Sequence, residues 1–327
     1  MNINRIVFMF LIFMAMSLFP INAVNVTVVV PEYVDKPQGF AAAQANLAAV
    51  LTEINRAEAA HEAVSVKNLQ MDEFAKKSLA RLWAVTPFKC MDEDVVAEAW
   101  VFKGGNMMVR NIPLEIKPQG DSFGMGTYQE AVAEFDANGM ITDFRFSIDA
   151  HMSVNWTGGQ VQDEETKMAI FKYLEQFRTA YNQKDIKTIE QMFSDDALII
   201  TGQVVRSKPL SDSQRSTFKV EYNKQSKEQY IQNLKKAFVR NKWIDVKFDN
   251  INPPTRSKID KTKYGIKLHQ SWKSSNYSDE GTLFLLWEIP ENGGDPIIHV
   301  RTWSPEYVDG KHYEPSEDLT TLGGFDL

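Results

Sequence analysis

Apolar positions along this chain fall into two rhythms, and the same succession occurs twice. Leu47, Val50, Leu51 and Ile54 recur at helical spacing within an Ala- and Glu-rich stretch, with Ala57 at the edge of the stripe. This predicts a helix over 40–61. A second helix is predicted over 72–83 from Ala75, Leu79 and Leu82. After Pro87 the period shortens to two, giving strands at 95–102, 107–116, 127–135 and 140–148. Asn138-Gly139 between the last two predicts a type I′ hairpin turn, which needs a positive φ at both central residues.

The second half repeats helices first and strands afterwards. Ile170, Leu174, Phe177 and Tyr181 share one helical face, and Asp185 is placed to cap a short helix carrying Ile186, Ile189 and Phe193. Ser226-x-x-Gln229 has the spacing of a capping box and opens a third helix with Tyr230, Leu234 and Phe238 on one face; Asn241 stands at its C-terminal end. Strands follow at 243–249, 263–274, 281–289 and 296–303, with N-Y-S-D-E-G read as the turn between the second and third of them. Grouped helices and grouped strands define an α+β class. Periodicity breaks between 150 and 165. The expected organisation is therefore an extended lead-in at 24–39, an α+β domain at 40–150, a linker at 151–163, a second α+β domain at 164–305 and a tail at 306–327.

That second domain resembles the nuclear transport factor 2-like (ketosteroid isomerase and polyketide cyclase-like) superfamily. The likeness rests on element order and on A-Y-N-Q-K-D-I, F-S-D-D-A and the closing I-I-H-V-R-T-W. It implies a curved antiparallel sheet wrapped around helices as a cone with a pocket. It leaves activity open, because such cones carry isomerases, dehydratases and modules without catalysis. V-R-N-I-P at 109–113 faintly echoes V-R-T-W-S-P at 300–305, so the first domain is a candidate degenerate copy. Homodimerisation is a further implication of the resemblance. The whole layout also resembles uncharacterised exported proteins of Bacteroidetes-type bacteria.

The export reading comes from residues 1–23: a basic start at Arg5, an apolar run over 6–19, and Ala23 as a cleavage point. A run of 14 residues falls short of the roughly 20 needed to span a bilayer. Cys90 is the only cysteine, so no disulfide can form within the chain, and a bacterial periplasm or envelope fits better than a eukaryotic exterior. The formal charge of −7 is unevenly spread. Residues 24–165 hold 11 basic and 21 acidic side chains, while 206–273 hold 17 basic and 6 acidic. Docking of the acidic half on that basic stretch is one expectation, and an envelope polyanion as partner is another. No nucleic acid is expected for an exported chain.

Asp195 and Asp196 are the candidate catalytic carboxylates, with Tyr181 or His269 as partner; the competing reading makes the two Asp ordinary turn residues. His299, Arg301 and Trp303 alternate along one face of the last strand, and that face lines a pocket or meets solvent. Arg301 there could hold a carboxylate on two prongs. Tyr181, Tyr230, Trp272 and Trp287 are the candidates for an aromatic pocket, or simply core. The five His show no metal-ligand spacing, and phosphate-binding and dinucleotide motifs are missing, so neither metal nor cofactor is expected. The reading ranked first is a non-catalytic binding or scaffold protein whose cone takes a small apolar or carboxylate ligand, or an envelope protein. An isomerase, dehydratase or cyclase is the alternative.

Overall fold

A computed structural model describes residues 23–116, 128–148, 164–206, 218–290 and 294–314. The expected export signal (all but its last residue) and the linker at 151–163 lie outside them.

In the first half, α1 (Phe40–Ala60) buries Leu47, Val50, Leu51, Ile54 and Ala57. It ends where His61 turns left-handed, with φ 54°. Asp72 caps α2 (Glu73–Val85) by accepting the Ala75 N–H at 2.7 Å. Both helices lie on a sheet built from β1 (Asn25–Val29), β2 (Phe88–Cys90), β3 (Asp94–Val101), β4 (Met107–Ile116), β5 (Tyr128–Phe135) and β6 (Ile141–Phe146). Strand order is β1-β3-β4-β5-β6, with β1 parallel to β3 and β2 paired to β4. Cys90 is buried, and its thiol is pushed up in pKa by that burial, as suits an inert core thiol.

The β5–β6 turn differs from the type I′ expectation. Asp136 accepts the N–H groups of Asn138 and Met140 on its carboxylate, and Gly139 alone is left-handed, at φ 85°. The side-chain anchor replaces the second positive φ. Gly139 is needed for a second reason: a Cβ there would stand 2.5 Å from the Gly39 carbonyl oxygen and 2.6 Å from the Ala43 nitrogen. The hairpin tip thus sits directly on the start of α1. Gly139→Ala should destabilise by well over about 1 kcal/mol, combining a strained φ with a backbone clash; urea denaturation measures it.

In the second half, α3 (Glu164–Asn182) and α4 (Ile186–Met192) precede a long hairpin of β7 (Phe193–Arg206) and β8 (Phe218–Ser226). Next come α5 (Lys227–Arg240), β9 (Ile244–Asp249), β10 (Thr255–Arg256), β11 (Lys263–Ser274), β12 (Ser278–Glu288) and β13 (Ile297–Pro305). Asp185 caps α4, Ser226 and Gln229 form the capping box of α5, and Asn241 closes α5 from an extended backbone. Strand order is β10-β11-β12-β13-β7-β8, with β9 on β11 and β13 parallel to β7. The sheet closes over α3, burying Leu174, Phe177, Tyr181, Ile266, Leu268, Leu285 and Trp287 in one core. A small hairpin, β14 (Tyr307–Val308) with β15 (Lys311–His312), follows in the segment read as tail.

Both halves are α+β with curved sheets, but they are wound differently. The first adds β1 beside the first strand of its meander; the second adds the β7–β8 hairpin beside the last. The two echoing V-R motifs fall on β4 and β13, which hold unlike places in these sheets.

The halves meet through buried charge. Glu175 on α3, fully buried, takes Arg110 from β4 at 2.5 Å and Arg145 from β6 at 3.1 Å, and accepts the Ile148 N–H at 3.0 Å. Arg145 also binds Glu134 and Asp143, each at 2.8 Å. Arg81 reaches Asp185, and Gln183 donates to Ser78. These three arginines come from the acidic half and their acids at 175 and 185 from the other, the reverse of the net-charge expectation; Lys172 to Glu134 runs the other way, but Lys172 lies outside the basic stretch 206–273. Net charge sums a whole surface, whereas contact is set by the faces that pack.

Candidate functional site

The cone interior is assembled from α3, α5 and the inner faces of β9, β11, β12 and β13. Phe177 sits at its centre, with ring centroids of Tyr181 at 4.9 Å, Phe193 at 5.8 Å, Trp287 at 6.2 Å and Phe248 at 6.3 Å. Tyr181 packs edge-on against Trp272, and its hydroxyl meets that of Tyr230 at 2.5 Å. Tyr181, Tyr230, Trp272 and Trp287 therefore do come together, as one aromatic cluster within and against the core.

Arg301 enters this cluster from β13. It is 6% exposed, lies 5.3 Å above the Tyr230 ring and donates to Gln270 Oε1 at 3.4 Å. Among the described residues its Nε has no hydrogen-bond partner and no carboxylate lies within ion-pair distance of it. Trp287 and Trp303 also bury their indole N–H groups without an acceptor. Three strong donors are thus buried in an apolar core that offers them few acceptors, a costly arrangement for a protein on its own. Burial holds the Tyr181 phenol well above its ordinary pKa, so this hydroxyl stays protonated and can donate but not act as a base.

The expected alternation on the last strand is corrected by a β-bulge. Register shifts on both neighbours of β13 make His299 the extra residue, so Ile298, Arg301 and Trp303 share the inner face. His299 turns out to the opposite surface, where Nε2 meets Glu288 at 2.6 Å. Trp303 packs its indole over Gly281, where a Cβ would approach the ring at 2.9 Å.

The expected catalytic carboxylates do not reach the cone. The Asp195 side chain is fully exposed and pairs with Lys227 at 2.8 Å. Asp196 is 85% exposed and bonds Ser194. Both stand at the start of β7 with outward side chains. His269 lies on the outer face of β11 between Asp249 at 2.8 Å and Glu306 at 3.0 Å. The alternation that puts Leu268 and Gln270 inside forces His269 out.

One acid is inside. Asp279 shares the inward face of β12 with Leu283 and Leu285, opposite Trp272 on β11. Burial raises its carboxyl above the ordinary carboxylate range, against the pull of the Tyr277 hydroxyl at 2.7 Å. In the sequence it sits in N-Y-S-D-E-G, a run whose composition reads as turn; the strand begins at Ser278, earlier than that composition suggests.

No protein-family model matches the sequence, and no curated protein matches it significantly. Solved structures resemble parts of it. Bd1075 of Bdellovibrio bacteriovorus is 10% identical over 51% of this chain and 47% of its own, with a TM-score of 0.32; the chain thus spans about half of that protein's length. A protein of unknown function from Shewanella oneidensis, described as NTF-2 like, is 13% identical over 42% of this chain and 98% of its own, with a TM-score of 0.31. ActVI-ORFA of Streptomyces coelicolor is 8% identical over 44% and 99%, also at 0.31. Likeness at this level says nothing of activity.

Proposed function

We propose that the cone of the second half binds a small carboxylate with an apolar, preferably aromatic, body. The observation that carries this is Arg301: a buried guanidinium over Tyr230 with an unpartnered Nε and no counter-ion in ion-pair range. A carboxylate would give that group, and the indole donors beside it, the acceptors they lack. The aromatic walls supply the apolar burial that makes binding favourable. Asp195, Asp196 and His269 face away, so the reading is a binding protein and not an acid–base enzyme built on them. The export signal read from residues 1–23 would place this binding in the cell envelope.

A thermal-shift screen of the chain with benzoate and related aromatic carboxylates tests the reading. A ligand at 100 times its Kd adds about 2.7 kcal/mol of stability; no shift with any of them would count against it.

Asp279 gives the binding a pH signature. Ionised, it repels a carboxylate in the same enclosure; protonated, it does not. Its raised pKa means that affinity should rise as pH falls toward the carboxylate range, before the ligand's own carboxylate protonates. Calorimetric titration across that range should show the trend in the native chain and a flat profile in Asp279→Asn.

A further inference from the structure

We propose that the groove between the two halves is a second binding site, one for an oxyanion-bearing ligand. The groove has a volume of about 530 Å³ and lies between α2, β6, α3 and α4. Junctions of this kind are where ligand sites concentrate. Its acids are already engaged. Asp143 is held by Arg145 at 2.8 Å, Asp185 caps α4 and takes Arg81 at 2.5 Å, and Asp295 accepts from Tyr173 at 2.8 Å.

Its donors are not. Arg145 is completely buried, with Nε on Glu175 and Nη1 on Glu134 and Asp143, while Nη2 has no partner among the described residues. Thr179, 4% exposed, likewise leaves its Oγ1 unpartnered among the described residues. Lys77 and Lys187 stand exposed on the lining and carry no ion pair among the described residues. Lining residues number five cationic (Lys77, Arg81, Arg145, Lys172, Lys187) against three anionic.

A ligand rich in acceptors and bearing negative charge answers both features at once. It fills the buried donors that otherwise cost free energy, and it is drawn in by two uncommitted lysines. A neutral ligand would leave the two lysines unanswered. The site does not depend on the cone: it uses Thr179 and its neighbours on the groove side of α3, whereas Phe177 and Tyr181 face the aromatic core.

Phosphate and citrate titrated separately into the full chain at constant ionic strength, followed by calorimetry, provide the test. Saturable binding of at least one is expected. Lys77→Gln/Lys187→Gln, both surface changes that leave the unliganded melting temperature in place, should weaken it at least tenfold, and Thr179→Val should weaken it further. Arg301→Gln should leave it unchanged. Preference for phosphate would assign a phosphoryl group and preference for citrate a carboxylate, either one supporting the site. Binding of neither anion, full binding by the double lysine variant, or loss of binding in Arg301→Gln would each overturn it.

Discussion

Glu175→Ala should cost about 3–5 kcal/mol, the usual loss when one partner is removed from a buried ion pair. Glu175 is fully buried and is the acid shared by Arg110 and Arg145. Its removal strands the Arg110 guanidinium, takes one of three acids from Arg145 and leaves the Ile148 N–H without its acceptor at the junction of the halves. Burial alone would raise its carboxyl, but the two arginines outweigh burial and hold it below the ordinary range. Glu134 behaves alike under Arg145 and Lys172. With folded values below unfolded ones, these two stabilise above the unfolded carboxylate pKa of about 4.3, and the contribution is lost as pH falls through the folded values. Asp143 and Asp245 are raised by burial and act in the opposite sense, so acidification should loosen the junction without a simple two-carboxylate profile. Urea denaturation of Glu175→Ala should show a lower midpoint and, because each half keeps its own core, two transitions instead of one. An unchanged midpoint would show that the network is not a stabilising junction.

Arg301→Met should do the reverse to stability while abolishing carboxylate binding. Methionine fills comparable apolar space and removes a desolvated cation with an unanswered N–H. Replacing buried charge by apolar groups is often neutral or stabilising by about 1–4 kcal/mol. A residue kept at such cost is the mark of a binding site, where stability is given up for recognition. Thermal unfolding without ligand should therefore show the variant at or above the native melting temperature.

Much of the fold was legible because burial imposes periodicity. Leu47 to Ile54, Tyr264 to Trp272, and Leu283 to Trp287 declare their inner faces by spacing alone, and Ser226 and Asp185 mark helix starts by their capping chemistry. The clustering of Tyr181, Tyr230, Trp272 and Trp287 was legible for the same reason. What escaped was local and irregular. The bulge at His299 shifts parity in mid-strand, so a strict alternation joins His299 to Arg301 when Ile298 belongs there. Asp279 was hidden by turn-like neighbours. The junction was hidden because Arg110, Arg145 and Glu175 read as the solvent side of their strands and helix; only the packing of α3 against the second face of the first sheet buries them.

The central claim is that Arg301 holds a carboxylate inside the cone. The most direct measurement is calorimetric titration of an aromatic carboxylate found in the screen into the native chain and into Arg301→Met, with unliganded stability recorded on the same samples. Saturable binding by the native chain, none by a variant at least as stable, is the predicted result. Equal binding by both would contradict the account.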